Sequence, residues 1–484
     1  MELESTSPEK AGYFARVWKL SKGLLEKLKA KVVELTLKTI KLAKDDPRRV
    51  VHSLKVGLAL NLVSLLYYLR PLYDNFGVSA MGAVMTVVVV LEYSVGATLG
   101  KGLNRGFATL LGGALSVGAH HLACLSGERG EPIMLGFFIF LQAAASTFIR
   151  FFPKIKARYD YALLIFILTF SLISVSGFRD DEIIELARKR LSTILIGGSV
   201  CVIVSILICP VWAGQDLHNL IASNMAKLGN FLEGFGNEYF KTSKEGESEA
   251  EKSFLQQYTS VLASKSNEES LANFAKWEPG HGRFQFRHPW NQYLKIGTLT
   301  RQCAYRIDAL NGYLNTEIQH TSSELSCKIE EVYREMSLEC GKALKELALA
   351  VKTMSQPSSA TNTHIENAKS AAKNLNYLLK SSVWEDTDFL AVVPVAAVAS
   401  LLIDVVDFTE NIADSVYELT SKANFKRIDV AHSPEKPQIR QPDNTKSPAM
   451  VDCPHVCITV NEPTPALSGN GNPSVTKAMG DLEL

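Results

Sequence analysis

Basic side chains stand at or inside the ends of long apolar segments, where a charge is costly unless it faces a cavity or a partner. Four of them are candidates for chemistry: Lys101, Arg105, Arg150 and Arg190. A guanidinium group forks onto a carboxylate, and an ammonium group attracts it as a point charge. Together these residues predict a path for a small organic anion. The alternative is that interfacial Lys and Arg only extend to the membrane surface and set the topology.

One carboxylate, Glu92, lies deep in the second predicted apolar segment, where it would repel an anion. An ionisable group at such a position usually has a partner of opposite sign. We expect Glu92 to pair with Lys101 or Lys55, or to hold a gate.

Six apolar segments position these residues, each close to the about 20 residues that cross a bilayer as a helix. They cover residues 50–69, 78–99, 103–125, 133–152, 159–177 and 191–212. Glycine is frequent inside them, which is typical of membrane helices that approach each other closely. Lys and Arg concentrate before the first segment and in alternate loops, so we expect both termini to be cytoplasmic.

The flanking regions differ from this core in composition. Residues 1–45 form a basic amphipathic segment, expected to lie on an anionic membrane surface or to pack on the C-terminal domain. The transmembrane domain takes residues 46–213, residues 214–425 show amphipathic helical periodicity, and the tail at 426–484 is expected to be disordered. The predicted fold class is all-α: a six-span transmembrane helical bundle with a C-terminal cytosolic helical domain.

One apolar stretch in the C-terminal half, residues 389–406, is long enough to be read as a seventh span. Six crossings leave both termini inside, whereas a seventh would place the C-terminus outside. We therefore interpret this stretch as a core helix of the cytosolic domain.

Motifs of enzymes are missing from the sequence. The Gly100–Lys101–Gly102 run has neither the glycine spacing nor the preceding strand of a phosphate-binding loop. No ATP-binding signature is present either. We predict a protein that is not an enzyme, needs no cofactor and has no nucleic-acid partner, so that any transport is passive or secondary.

Several runs resemble the plant aluminium-activated malate transporter family. They are residues 46–49 (DPRR), 83–90 (AVMTVVVV), 96–105 (GATLGKGLNR), 210–218 (PVWAGQDLH), 277–279 (WEP) and 281–284 (HGRF). The resemblance covers roughly residues 45–425. It implies a homodimeric anion channel in the lipid bilayer that passes malate and other small anions. It favours the plasma membrane and leaves the vacuolar membrane open.

Two other functions stay open beside the channel. A proton-coupled organic or aromatic acid exporter has a similar layout of spans, but it needs a titratable relay inside the bundle. Glu92 and His120 offer little material for one. A membrane anchor for the helical domain is the third, although six glycine-rich segments are more than anchoring needs.

The resemblance also suggests two regulatory sites. Some members respond to extracellular Al³⁺, a hard cation that prefers oxygen ligands. Asp74, Asp181 and Glu185 are the candidate ligands, unless they are acids that only complement a helix dipole. Glu278 in the Trp277–Glu278–Pro279 run is expected to dock on basic loops under the pore and bias gating, or to be part of a structural corner.

Overall fold

The computed structural model describes residues 8–68, 81–177, 183–238, 257–314, 324–380 and 389–426. Within these ranges the secondary structure is helical and no β-strand is present, so the all-α prediction is confirmed. The first seven helices are α1 (Pro8–Asp45), α2 (Pro47–Tyr68), α3 (Met81–Val90), α4 (Val95–Cys124), α5 (Gly127–Ile149), α6 (Pro153–Gly177) and α7 (Ile183–Leu207).

Four helices among the described residues are long and apolar enough to cross a membrane. They are α4 and the segments Arg129–Ile149 of α5, Arg158–Ser176 of α6 and Ile184–Leu207 of α7. The helix α3 is apolar but shorter, and it packs with α2 and α7 around Ala59, Val87 and Cys201. The structure thus contains a membrane-type helical bundle, and the count of six spans stays a prediction.

The boundary between the second and third predicted segments is wrong. The chain leaves the helical conformation after Val90 and re-enters it at Val95, so residues 99–103 lie within α4 and not in a loop. Ser94 caps the new helix, since its side chain accepts a hydrogen bond from the Ala97 amide at 3.3 Å. Consequently Glu92 lies in the break between two helices and not deep inside a span.

Two further boundaries move toward longer helices. The predicted loop between residues 152 and 159 shrinks to Arg150–Phe152, because Pro153 begins α6 at the position where a helix tolerates proline. The predicted sixth segment starts at residue 191, whereas α7 begins at Ile183. Arg190 is therefore inside a helix, two turns from its start.

The second half of the described chain forms a helical domain with its own core. Its helices are α8 (Ala213–Glu238), α9 (Thr259–Leu262), α10 (Lys265–Ala275), α11 (Trp290–Leu314), α12 (Glu324–Thr353), α13 (Ser359–Lys380) and α14 (Phe389–Lys422). The helix α8 packs along α12, and α11 packs along α14. The apolar stretch at residues 389–406 lies in α14, where Val398, Leu402 and Val405 are buried in the domain core.

In helix α1 the large apolar side chains whose burial is described, from Leu28 onward, are exposed. Leu28, Val32 and Leu35 are 53, 60 and 65 % exposed. These side chains thus stay outside the core of the helical domain, and the membrane-surface interpretation of residues 1–45 remains a prediction. The predicted disordered tail lies, apart from Lys426, outside the described residues.

Candidate functional site

Arg105 is a buried cation in the interior of the bundle. It lies ten residues into α4, about 15 Å along the helix axis from Val95. Its side chain is 7 % exposed, and its Nη1 donates a hydrogen bond to the Tyr161 hydroxyl of α6 at 3.0 Å. Its Nε is buried and has no hydrogen-bond partner. A neutral phenol leaves the guanidinium charge uncompensated.

Arg190 brings a second guanidinium group to the same region. It belongs to α7, which packs against α4, and its charge lies close enough to repel that of Arg105. Its Nε is also buried without a hydrogen-bond partner. Within the described part of the chain, no carboxylate forms an ion pair with either arginine. The two side chains therefore combine positive charge with unused hydrogen-bond donors, which is what a carboxylate ligand requires.

Lys101 extends this basic region by one helical turn. It is four residues before Arg105, so the two share a face of α4. Its ammonium lies 5.8 Å from the centroid of the Tyr161 ring, and it forms an ion pair with Glu92. The expected pairing of Glu92 with a basic residue is thus found at Lys101. Lys55 instead donates to the Cys209 carbonyl at 2.9 Å.

Arg150 differs from Arg105 and Arg190 because it has a carboxylate partner. Its Nε and Nη2 donate to the two oxygens of Asp160 at 2.7 and 3.2 Å. This fork joins the end of α5 to the beginning of α6. Because Asp160 precedes Tyr161, the ion pair borders the site around Arg105 while adding little net charge to it.

Glu278 connects the helical domain to the bundle. It is buried, and its two oxygens accept hydrogen bonds from the amides of Ala213 at 2.6 Å and Gly214 at 3.0 Å, at the start of α8. Burial raises the pKa of Glu278, opposed by hydrogen bonds from the amides of Gly214, Ala213 and Gly96. Its partners are therefore backbone amides at two helix N-termini and not the basic loops that we expected.

A glycine allows this connection to be tight. A Cβ atom on Gly96 would lie 2.3 Å from the Phe274 carbonyl oxygen and 2.9 Å from Cγ of Glu278. Only glycine accommodates that approach, so the first turn of α4 rests directly on the end of α10. Trp277 completes the contact against Gly100. The helix that carries Lys101 and Arg105 is thus held at its N-terminus by the helical domain.

Comparisons with known proteins identify the family of this chain. The family model described as aluminium activated malate transporter matches residues 40–384. The chain belongs to the aluminium-activated malate transporter family. It is 59 % identical to aluminum-activated malate transporter 2 of Arabidopsis thaliana over 82 % of this chain and 79 % of that protein. It is 55 % identical to transporter 7 of that plant, over 85 % and 87 %. It is 48 % identical to aluminum-activated malate transporter 1 of Triticum aestivum, over 79 % and 84 %.

The acids predicted to bind Al³⁺ in this family member are only partly described. Glu185 lies in the first turn of α7, 2.8 Å from the ammonium of Lys189 and 3.8 Å from Arg188. Asp74 and Asp181 lie outside the described residues. The carboxylate of Glu185 is a suitable ligand type for a hard cation, but a cation must compete there with two basic side chains.

Sequence reasoning missed two residues of the site. Asp160 and Tyr161 stand near the start of a predicted apolar segment, and their contacts determine which cations stay unpaired. A signal was present, because a carboxylate in such a segment needs a partner and Arg150 stands at the end of the preceding one. The hydroxyl of Tyr161 gives no comparable signal in the sequence.

Proposed function

We propose that this protein is a passive anion channel that mediates the efflux of malate and other small anions. The observation that carries the proposal is the pair of guanidinium groups on the buried Arg105 and the half-buried Arg190, each with a buried Nε and neither with a carboxylate partner among the described residues. The names of its relatives support malate as the substrate, because they are called malate transporters. Malate offers two carboxylates that can accept the unused N–H donors.

A channel needs compensation of charge and no fuel. An inside-negative potential acts on each charge with about 2.3 kcal/mol per 100 mV, and about twice that on a dianion. The remaining obstacle is the energy barrier that an anion meets in the low-dielectric interior. The fixed positive charges of Arg105 and Arg190 lower this barrier. Binding must stay weak enough for release, and two cations held by different helices suit a site that an anion both enters and leaves.

Lys101 and Glu92 are proposed as the entrance and gate on the side of the helical domain. When paired, the two charges cancel, and Lys101 is occupied. A malate carboxylate can replace Glu92 as the partner of Lys101, which adds a third cation to the path. Glu278 is proposed to bias this exchange, because it contacts the first turn of α4 at Gly96, one turn before Lys101.

The proposal extends to the location of the helical domain and to the assembly of the protein in its membrane. We propose that the helical domain lies in the cytosol. Support comes from the basic residues Arg48 and Arg158, which lie beside it: Arg48 pairs with Asp216, and Arg158 lies over the Trp277 ring. We further propose a homodimer in the plasma membrane.

Activation by Al³⁺ is proposed to involve Asp74, Asp181 and Glu185. Neutralising these three acids together should abolish the activation while sparing the basal current.

The test of the pore assignment is malate current in a heterologous cell with malate on the cytoplasmic side. Arg105→Gln and Arg190→Gln should each reduce malate conductance severalfold at unchanged surface expression. Arg188→Gln is the matched control, because that side chain is 72 % exposed and only two residues away. Normal current in both pore variants contradicts the assignment.

The same recordings discriminate the channel from the proton-coupled exporter. The reversal potential of a channel follows the malate gradient alone. An exporter that couples each malate to protons shifts its reversal potential when the external pH changes at constant malate gradient. Such a shift would favour the exporter.

A further inference from the structure

The end of α4 that lies away from the helical domain carries an unassigned group of three ligating side chains. His120 and Cys124 are four residues apart on α4, and Glu131 faces them from the first turns of α5. One ligand atom from each of the three lies within 4.8 Å of the other two. The group is separate from the acids discussed for Al³⁺ and from the basic site around Arg105.

The local fold brings these side chains together. A spacing of four residues places His120 and Cys124 on one face of a helix, the arrangement by which helical metal sites present two ligands. Only Leu125 and Ser126 separate α4 from α5, and Gly127 has φ of +74°, a conformation that permits the chain to reverse there. The reversal puts Glu131 opposite His120.

The thiol and the carboxylate lie beside different nitrogens of the same imidazole. Cys124 Sγ lies 3.6 Å from His120 Nε2, and Glu131 Oε1 lies 3.7 Å from His120 Nδ1. Ligand atoms on one tetrahedral Zn²⁺ are about 3.3–3.8 Å apart, given Zn–N and Zn–S bonds of about 2.0–2.3 Å, so an ion bound by Nδ1 suits the position of Glu131. The exposed Cys124 side chain then reaches the ion by a change of rotamer. Nδ1 of His120 is buried without a hydrogen-bond partner, which leaves the imidazole only partly satisfied by the protein.

We propose that His120, Cys124 and Glu131 form a binding site for a divalent transition-metal ion, and that Zn²⁺ is the preferred ion. Nitrogen, sulfur and carboxylate oxygen are the donors that Zn²⁺ combines, whereas Al³⁺, Ca²⁺ and Mg²⁺ prefer oxygen alone. The ion binds one imidazole nitrogen and the Cys124 thiolate, which releases its proton on binding. The Glu131 side chain supplies the third ligand, and water takes the fourth position. The ion joins the end of α4 to the start of α5.

The experiment uses the purified full-length protein in detergent and reducing buffer, with Co²⁺ as a spectroscopic probe for Zn²⁺. Tail cysteines are first replaced in a Cys453→Ser/Cys457→Ser background so that their thiols do not contribute. We expect one Co²⁺ per chain with a thiolate-to-cobalt charge-transfer band, displaced by Zn²⁺ and retained in excess Al³⁺. Cys124→Ser should abolish the band. His120→Asn and Glu131→Gln should weaken Co²⁺ binding at least about tenfold.

Matched controls keep the test specific. His121→Asn changes the neighbouring exposed histidine, and Cys209→Ser removes another exposed free thiol. Both should leave the band and the affinity unchanged. The proposal is overturned if the protein binds no Co²⁺, or if the band persists in Cys124→Ser. In either case His120 and Glu131 form an ordinary pair of side chains at a helix turn.

Discussion

Replacing Glu278 by alanine tests how strongly the helical domain holds the bundle. The carboxylate accepts two backbone hydrogen bonds at the start of α8, at 2.6 and 3.0 Å, and Ala213 and Gly214 are both buried there. Bonds to a charged group contribute about 1.5–3 kcal/mol each, so their sum is about 3–6 kcal/mol. Burial offsets part of this, since it raises the pKa of Glu278. We expect Glu278→Ala to lower the free energy of unfolding by about 2–4 kcal/mol.

Two comparison variants calibrate this value. Glu278→Gln keeps the shape and one acceptor oxygen, so it should lose about half as much stability. Glu269→Ala removes an exposed carboxylate from α10 and should change stability by less than about 0.5 kcal/mol. Chemical unfolding of the detergent-solubilised protein, followed by helical circular dichroism, measures all three.

Current recordings then separate the two roles of Glu278. If the contact biases gating, Glu278→Gln should shift the voltage dependence of the malate current, because α4 loses part of its anchor at Gly96. If Glu278→Gln lowers the stability of the protein but leaves the voltage dependence of the current unchanged, Glu278 has only a structural role. A Glu278→Ala variant as stable as the wild type would refute the hydrogen-bond reasoning itself.

Two further predictions concern pH and charge. Burial lowers the pKa of His218 and His288 to about 4, and both lie beside the Tyr293 hydroxyl. The unfolded chain takes up their protons first, so stability present above pH about 6.5 should fall toward pH about 4, by up to about 3 kcal/mol for each histidine. Thermal unfolding across this range should show a shallower pH dependence in His288→Gln, and an unchanged profile would contradict the assignment. Arg150→Gln should reduce malate current because it leaves the Asp160 carboxylate unpaired beside the site. Adding Asp160→Asn should restore the current if repulsion is the cause, whereas no recovery would mean that Arg150 itself contacts the anion.

The helical fold and the positions of the buried cations follow from local patterns in the sequence. An arginine inside an apolar segment, such as Arg105, or directly before one, such as Arg190, is conspicuous because burying its charge is costly, so both could be selected without a structure. The partners could not be assigned in the same way. Arg150 resembles the other cations in sequence, and only the packing of α6 on α5 shows that Asp160 neutralises it.

The misplaced boundary near Ser94 has a different cause. Glycines and a basic residue at 100–102 are typical of a loop, and Ser94 inside an apolar run is inconspicuous. In the structure Gly100 lies within α4, and its lack of a side chain lets Trp277 pack closely against the helix. That contact joins residues 177 positions apart, so no local pattern predicts it. The same long-range contact joins the N-terminal turns of α4 to the helical domain.

The nature of the cations argues for a channel over a proton-coupled exporter. A guanidinium group keeps its charge at every physiological pH, so Arg105 and Arg190 present the same field whether or not protons are available. Coupling requires a group that changes its charge during the cycle. The carboxylates beside the site in the described bundle, Glu92 and Asp160, are each engaged in an ion pair, with Lys101 and Arg150. A site built from permanent charges can lower a barrier for malate, but it has no means of exchanging a proton for it.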